Sequence, residues 1–129
     1  MVSTPNEVTR LLGDEGIVRH RGKIESTINN ARRPCDLHAE FGSLAAYFWR
    51  FEPSAVSRPA PLTWARLQRM STTSESIALS KDLRKRGWTF VGPTTLYAFM
   101  QAVGIVNDHL PHCAVRARVE RARRTFKRP

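Results

Sequence analysis

Two groups of residues have the types and spacing to do chemistry. In the first, Arg19, His20, Arg21 and Lys23 crowd around Gly22 directly before a helical pattern. A helix start presents free backbone N–H groups and the positive end of the helix dipole, so it favours an anion. Cations gathered there are unfavourable for an isolated helix and call for a negatively charged ligand, of which a nucleic-acid phosphate is the obvious one. The same run also fits a solvated turn with no ligand. In the second group, within NDHLPHC at 107–113, His109 and Cys113 stand in the spacing H-x3-C. That spacing sets both side chains on one side of a turn or helical segment, within reach of a shared zinc ion. A closed structural zinc site takes four ligands; this stretch supplies two, with His112 as a candidate third, and a His and a Cys this close are more often two unrelated surface residues.

The elements that must position the first group are two short helices. Residues 7–13 and 22–33 carry helical periodicity, and the stretch 14–21 between them, containing Gly16, is short enough to be only a tight connection. This is a helix-hairpin-helix pattern. Ile24, Ile28 and Ala31 fall on one face of the second helix, with Glu25, Asn29, Arg32 and Arg33 outside, while Val8, Leu11 and Leu12 offer the first helix's contact. Gly16, Arg19, Arg21, Gly22 and Lys23 are therefore the candidate DNA-binding residues.

Downstream, Pro34 closes the second helix, and 36–51 reads as one helix with Asp36 as N-cap and an aromatic face of Phe41, Tyr47, Phe48 and Phe51. Such a stripe reads as core. The segment 52–62, with Pro53, Pro59 and Pro61, is a surface loop, and 63–70 holds a short helical turn. Ser74 precedes a helical run whose buried side is expected to be Ile77, Ala78, Leu79 and Leu83, ended by Gly87. Pro93 suits a first helical position for a mostly apolar helix through residue 103, expected at the centre of the domain. No clear alternation appears anywhere, so the fold class is all-α.

The chain of 129 residues fits one domain, 1–115, followed by a basic tail. A hydrophobic content of 41% and a charged content of 25% are ordinary, but the net charge of +10 implies a polyanionic partner or an anionic surface. In 116–129 six arginines and one lysine face the single Glu120, which leaves +6 in a segment expected to be disordered. No apolar run reaches the roughly 18 residues of a membrane span, and no signal-peptide core is evident, so a cytoplasmic location is expected. Cys35 and Cys113 are too few for a disulfide scaffold and are expected to be thiols or metal ligands.

IVRHRGKIESTINNAR at 17–32 and FVGPTTLYAFMQAVGIVNDH at 90–109, with the run LSK-x-LRKRGWT before the latter, resemble the DNA-3-methyladenine glycosylase I family over residues 7–113. The resemblance implies an all-α helix-hairpin-helix fold and removal of 3-methyladenine from alkylated double-stranded DNA by cleavage of its N-glycosidic bond. It also implies a structural zinc, held by a Cys and a His from an N-terminal segment together with His109 and Cys113. Family members begin with about seventy further residues that carry the first zinc pair, a base-contacting Tyr, a pocket Trp and an acidic pocket residue. None of these matches a position here, so no catalytic residue is assigned, and the chain resembles an N-terminally truncated form of the enzyme.

A glycosylase must extrude its target nucleotide into a pocket that reads the base edge and stacks its face. Tyr97 and Trp88 are the aromatic candidates for one wall, with the core as the competing place for each, and Trp64 is a further aromatic. Two functions stay open: a repair hydrolase of the 3-methyladenine type, or a non-catalytic basic DNA-binding module derived from one. The uncovered apolar faces of 41–51 and 96–103 are expected to promote association.

Overall fold

A computed structural model describes residues 5–58 and 62–129, and Pro59 and Pro61 of the proline-rich loop lie outside the described residues. The described residues form eight helices and no strand, as the missing alternation predicts: α1 (Pro5–Leu12), α2 (Arg21–Ala31), α3 (Pro34–Phe41), α4 (Leu44–Trp49), α5 (Trp64–Arg69), α6 (Ser74–Lys85), α7 (Pro93–Ala102) and α8 (Ala114–Thr125). Helices α1 and α2 pack on each other, as do α3 with α4 and α6 with α7.

The core gathers Leu37 from α3, Tyr47 from α4, Leu79 and Leu83 from α6, Leu96, Tyr97 and Met100 from α7, and Ile105 and Val106 after it. Phe41, Phe48 and Phe51 pack against this cluster, so the aromatic stripe is core. Tyr47 is completely buried and its hydroxyl donates to Asp82 Oδ2 at 2.7 Å, which removes the penalty of a buried polar tip.

Five expectations are corrected. The single helix over 36–51 is two helices, because Gly42 takes a left-handed φ of 80° and Ser43 then caps α4 by accepting the Ala46 N–H at 2.9 Å. Asp36 is not the N-cap; Pro34 occupies the first turn of α3, so it starts that helix as well as ending α2. In α6, Ile77 and Ala78 face outward, Ile77 at 51% exposure, while Ser76 and Ser80 are buried beside Leu79 and Leu83. The small hydroxyls go inside because each has a partner: Ser76 completes a capping box with Thr73, and Ser80 Oγ donates to the Val91 carbonyl at 2.6 Å.

The basic segment expected to be disordered is helical through Thr125 and docked. Glu52 accepts from Arg123 at 2.8 Å and from Arg128 at 2.7 Å, Asn107 donates to Glu120 at 2.7 Å, and the Phe126 ring lies 4.7 Å from Trp49. Charge composition alone misses this because specific acceptors on the body hold the arginines. Last, the faces of 41–51 and 96–103 are not left as open apolar patches: of their large hydrophobic residues only Leu44, at 37%, and Val103, at 48%, count as exposed.

Candidate nucleic-acid interface

The stretch between α1 and α2 is shaped by local hydrogen bonds. The Gly13 and Asp14 N–H groups close the end of α1 on the Arg10 and Leu11 carbonyls, and Asp14 Oδ1 then accepts the Gly16 N–H at 2.8 Å. Gly16 therefore belongs to an Asx turn and does not have the left-handed backbone that would demand glycine. Ile17 and Val18 follow with their side chains exposed, Val18 at 76%.

His20, extended at φ −107° and ψ 106°, is the N-cap of α2. Its Nδ1 accepts the Lys23 N–H at 3.2 Å, which fixes the ring as the tautomer protonated on Nε2, and its carbonyl accepts from Lys23 and Ile24. The Arg21 and Gly22 N–H groups find no acceptor among the described residues. Around them Arg19 and Lys23 are exposed and form no ion pair among the described residues, and Arg21 reaches only the far oxygen of Glu25 at 3.5 Å. The five sequence-predicted residues thus split: Arg19, Arg21, Gly22 and Lys23 frame the open start of α2, and Gly16 shapes the turn leading to it.

A residue that the sequence does not single out completes this surface. Phe90 sits at φ 55°, the one described non-glycine residue with positive φ, with its side chain 56% exposed. Its ring stands edge-on to the His20 ring with centroids 6.0 Å apart. Gly22 lies beneath both: a Cβ there would meet His20 Cε1 at 3.3 Å and Phe90 Cζ at 3.4 Å. The left-handed backbone costs a bulky residue on the order of 1–2 kcal/mol, so the neighbouring chain has to hold it.

The holding is done by polar residues of α2. Asn29 Nδ2 donates to the Gly87 carbonyl at 2.9 Å, and Asn30 accepts the Thr89 N–H and donates to the Thr89 carbonyl, both at 2.9 Å. Ser26, buried, donates to the same carbonyl at 3.0 Å and accepts from the Thr89 hydroxyl at 2.8 Å. The strap 87–89 is thereby stitched along α2 and delivers Phe90 to the side of His20. Cationic side chains, free N–H groups and an exposed aromatic edge together suit a phosphate with a nucleobase or sugar beside it.

Three acidic residues of the body are held by cations and hydroxyls. A cleft of about 430 Å³ beside α3 and α6 contains Glu40, Asp82 and Arg86, and Arg86 binds both carboxylates, Glu40 Oε1 at 3.0 Å and Asp82 Oδ2 at 2.8 Å. The Arg86 hydrogen bond holds the Glu40 carboxyl below its usual range. Partial burial pushes Asp82 up, but hydrogen bonds from Arg86 and Tyr47 outweigh it and leave the group lowered. Asp108, its side chain 8% exposed, accepts from Arg58, from the Tyr97 hydroxyl and from Gln101 Nε2 at 2.8 Å. None of these three carboxylates is free to serve as a base toward a ligand. Tyr97 is core, at 3% exposure, Trp88 is half-buried against the core, and Trp64 is an isolated exposed ring on α5. These three rings do not gather into a base pocket.

His109 is exposed, and its Nδ1 lies 2.8 Å from Asn107 Oδ1, which orients the ring with Nε2 outward. Cys113 is the N-cap of α8 and half-buried. Among the described residues no group of three or more His, Cys, Asp or Glu stands close enough to hold a metal ion. A closed site needs four ligands, so the residues present do not make a structural zinc site by themselves. No helix among the described residues is long and apolar enough to cross a membrane.

The family model described as methyladenine glycosylase matches residues 2–117. The chain is 45% identical over 107 residues to DNA-3-methyladenine glycosylase 1 of Escherichia coli K12, a match that covers 83% of this chain and 56% of the relative. It is 35% identical over 111 residues to the DNA-3-methyladenine glycosylase of Haemophilus influenzae, covering 85% and 58%. Among solved structures, one crystal structure of 3-methyladenine DNA glycosylase I superposes with a TM-score of 0.75 at 39% identity, over 87% of this chain and 60% of the other. The Staphylococcus aureus enzyme, solved to explain its recognition of 3-methyladenine, superposes at 0.77 with 28% identity over 88% and 60%. The chain therefore spans somewhat over half the length of the relatives it matches.

Proposed function

The chain belongs to the methyladenine glycosylase family, and from that premise we propose that these residues are the DNA-gripping part of a cytoplasmic base-excision repair enzyme that hydrolyses the N-glycosidic bond of 3-methyladenine in alkylated duplex DNA. The observation that carries the reading is the start of α2. A helix-hairpin-helix grip needs unpaired N–H groups, cations and a turn that a phosphate can approach; Arg21 and Gly22 supply the N–H groups, and Arg19, Arg21 and Lys23 the charge. The phosphate contact fixes register on the duplex and carries no base identity.

Glycosidic hydrolysis of an N3-alkylated adenine starts from a cationic leaving group, so the protein's task is to hold the extruded base by shape, stacking and hydrogen bonds. The residues present supply the grip and Phe90, while Tyr97 is sealed in the core and the carboxylates of Glu40, Asp82 and Asp108 are paired. Those pairings favour a second reading, a module that binds DNA without catalysing base release. His109 and Cys113 would contribute half of a zinc site within the first reading, and no step of the chemistry is routed through the metal.

One experiment tests both. Binding to an undamaged duplex of about 20 base pairs is measured for the chain and for the triple variant Arg19→Ala, Arg21→Ala, Lys23→Ala, alongside single-turnover release of 3-methyladenine from methylated DNA. The variant is expected to bind at least about tenfold more weakly at 0.1 M salt, with a flatter salt dependence. Equal binding by parent and variant overturns the hairpin assignment. The 129 residues alone are expected to release no base above background. Release on adding a segment that supplies the uncovered part of the relatives' length supports the enzyme, and continued silence supports the binding module.

A further inference from the structure

Helix α8 carries two sets of arginines with different work. Arg116, Arg123 and, just past the helix, Arg128 are turned inward and occupied: Arg116 donates to the His109 carbonyl, Arg123 to the Gly104 carbonyl and to Glu52, and Arg128 to both Glu52 oxygens. Val115 and Val119 lie on the same half-buried side. Arg118, Arg121 and Arg124 are spaced i, i+3, i+6, so they run along the opposite side as one exposed stripe with no acidic partner among the described residues. All three lie beyond residue 117, where the family match ends.

We propose that α8 is a second duplex-contacting surface, in which the Glu52 clasp and the Phe126–Trp49 contact hold the helix so that Arg118, Arg121 and Arg124 face a DNA phosphate backbone. The proposal rests on the reading that this chain grips DNA, and adds a site to it. Three cations held on a docked helix lose less freedom on binding than the same cations on a disordered extension, so their attraction is kept for phosphates. The chemistry of the face selects the partner. An interfacial membrane helix needs an apolar side free to enter lipid, whereas the valines of α8 are turned to the body and its outer side carries arginine and alanine. A single-strand binder needs open aromatic rings for stacking, and Phe126 is packed on Trp49.

The test compares the full chain with the triple variant Arg118→Gln, Arg121→Gln, Arg124→Gln. Glutamine keeps helix propensity close to that of arginine, and far-UV circular dichroism checks that α8 remains folded. The slope of log K against log salt for a 20-base-pair duplex is expected to fall by roughly two to three, and a triple lysine variant is expected to restore most of it. An unchanged slope in the glutamine variant overturns the proposal. If the hairpin variant still weakens binding in that case, the grip reading survives; if neither variant does, both fail. Loss of binding to phosphatidylglycerol vesicles with an unchanged duplex slope overturns the proposal in favour of a membrane surface.

Discussion

Ser26 shows what a single side chain does for the interface. It is 6% exposed, and its hydroxyl both donates to the Thr89 carbonyl and accepts from the Thr89 hydroxyl, so Ser26→Ala leaves that carbonyl to Asn30 alone and the hydroxyl without its protein partner. The expected loss is about 0.5–1.5 kcal/mol of stability, read as a lower melting temperature, together with weaker duplex binding as Phe90 loses part of its support. A melting curve that matches the parent would show that Asn29 and Asn30 hold the strap unaided. The basic residues around the start of α2 were legible from the sequence because charge and helix polarity are properties of residue type. Phe90 was not, since a left-handed φ at a phenylalanine has no signature in composition or spacing. Ser26, Ser76 and Ser80 were missed for a related reason: hydrophobic periodicity ranks a serine as outward, and the structure buries it wherever a carbonyl or a cap waits for the hydroxyl.

Among the elements, α8 depends most on one carboxylate. The Arg128 hydrogen bond, joined by the charges of Arg128 and Arg123, holds the Glu52 carboxyl below its usual range against the opposing effect of partial burial. A depressed folded-state value means that the clasp contributes its full stability above the unfolded value of about 4.3 and loses it as pH falls through the lower, folded one. Acidification through the lowered range of Glu52 is therefore expected to release α8. The indole N–H resonance of Trp49, beside Phe126 and the guanidinium of Arg128, reports the release. In Glu52→Gln that resonance should already sit near its acid position at neutral pH, and a wild-type value there would remove Glu52 from the docking account. The existence of the helices was mostly readable, with Pro93 opening α7 and Gly87 closing α6 at positive φ. Their docking and one boundary were not. Gly42 inside an apolar run reads as tolerable until Ser43 is seen capping a new helix, and acceptors for the arginines of 116–128 come from Glu52 and Gly104, far away in sequence.

For the whole molecule, the all-helical fold and the family were legible because long helical patterns and two extended motifs agree with each other, and the superposed structures bear both out. The zinc expectation is a statement about parts that meet. His109 and Cys113 make half of a ligand set, and open sites bind far more weakly than closed ones, so the 129 residues are expected to give up zinc on dialysis against a chelator. Stoichiometric metal retained by a monomeric preparation would point to a rebuilt site using Cys35 or His112. The strap stitched to α2 has a calorimetric consequence. Because Ser26, Asn29 and Asn30 set the hairpin's surroundings before any ligand arrives, duplex binding needs little ordering of chain and buries little new apolar surface beyond the Phe90 ring. Titration calorimetry over about 10–35 °C should then give a binding enthalpy that barely changes with temperature, with the favourable entropy of released counterions carrying the affinity. A steep negative temperature coefficient would mean that the hairpin folds as it binds.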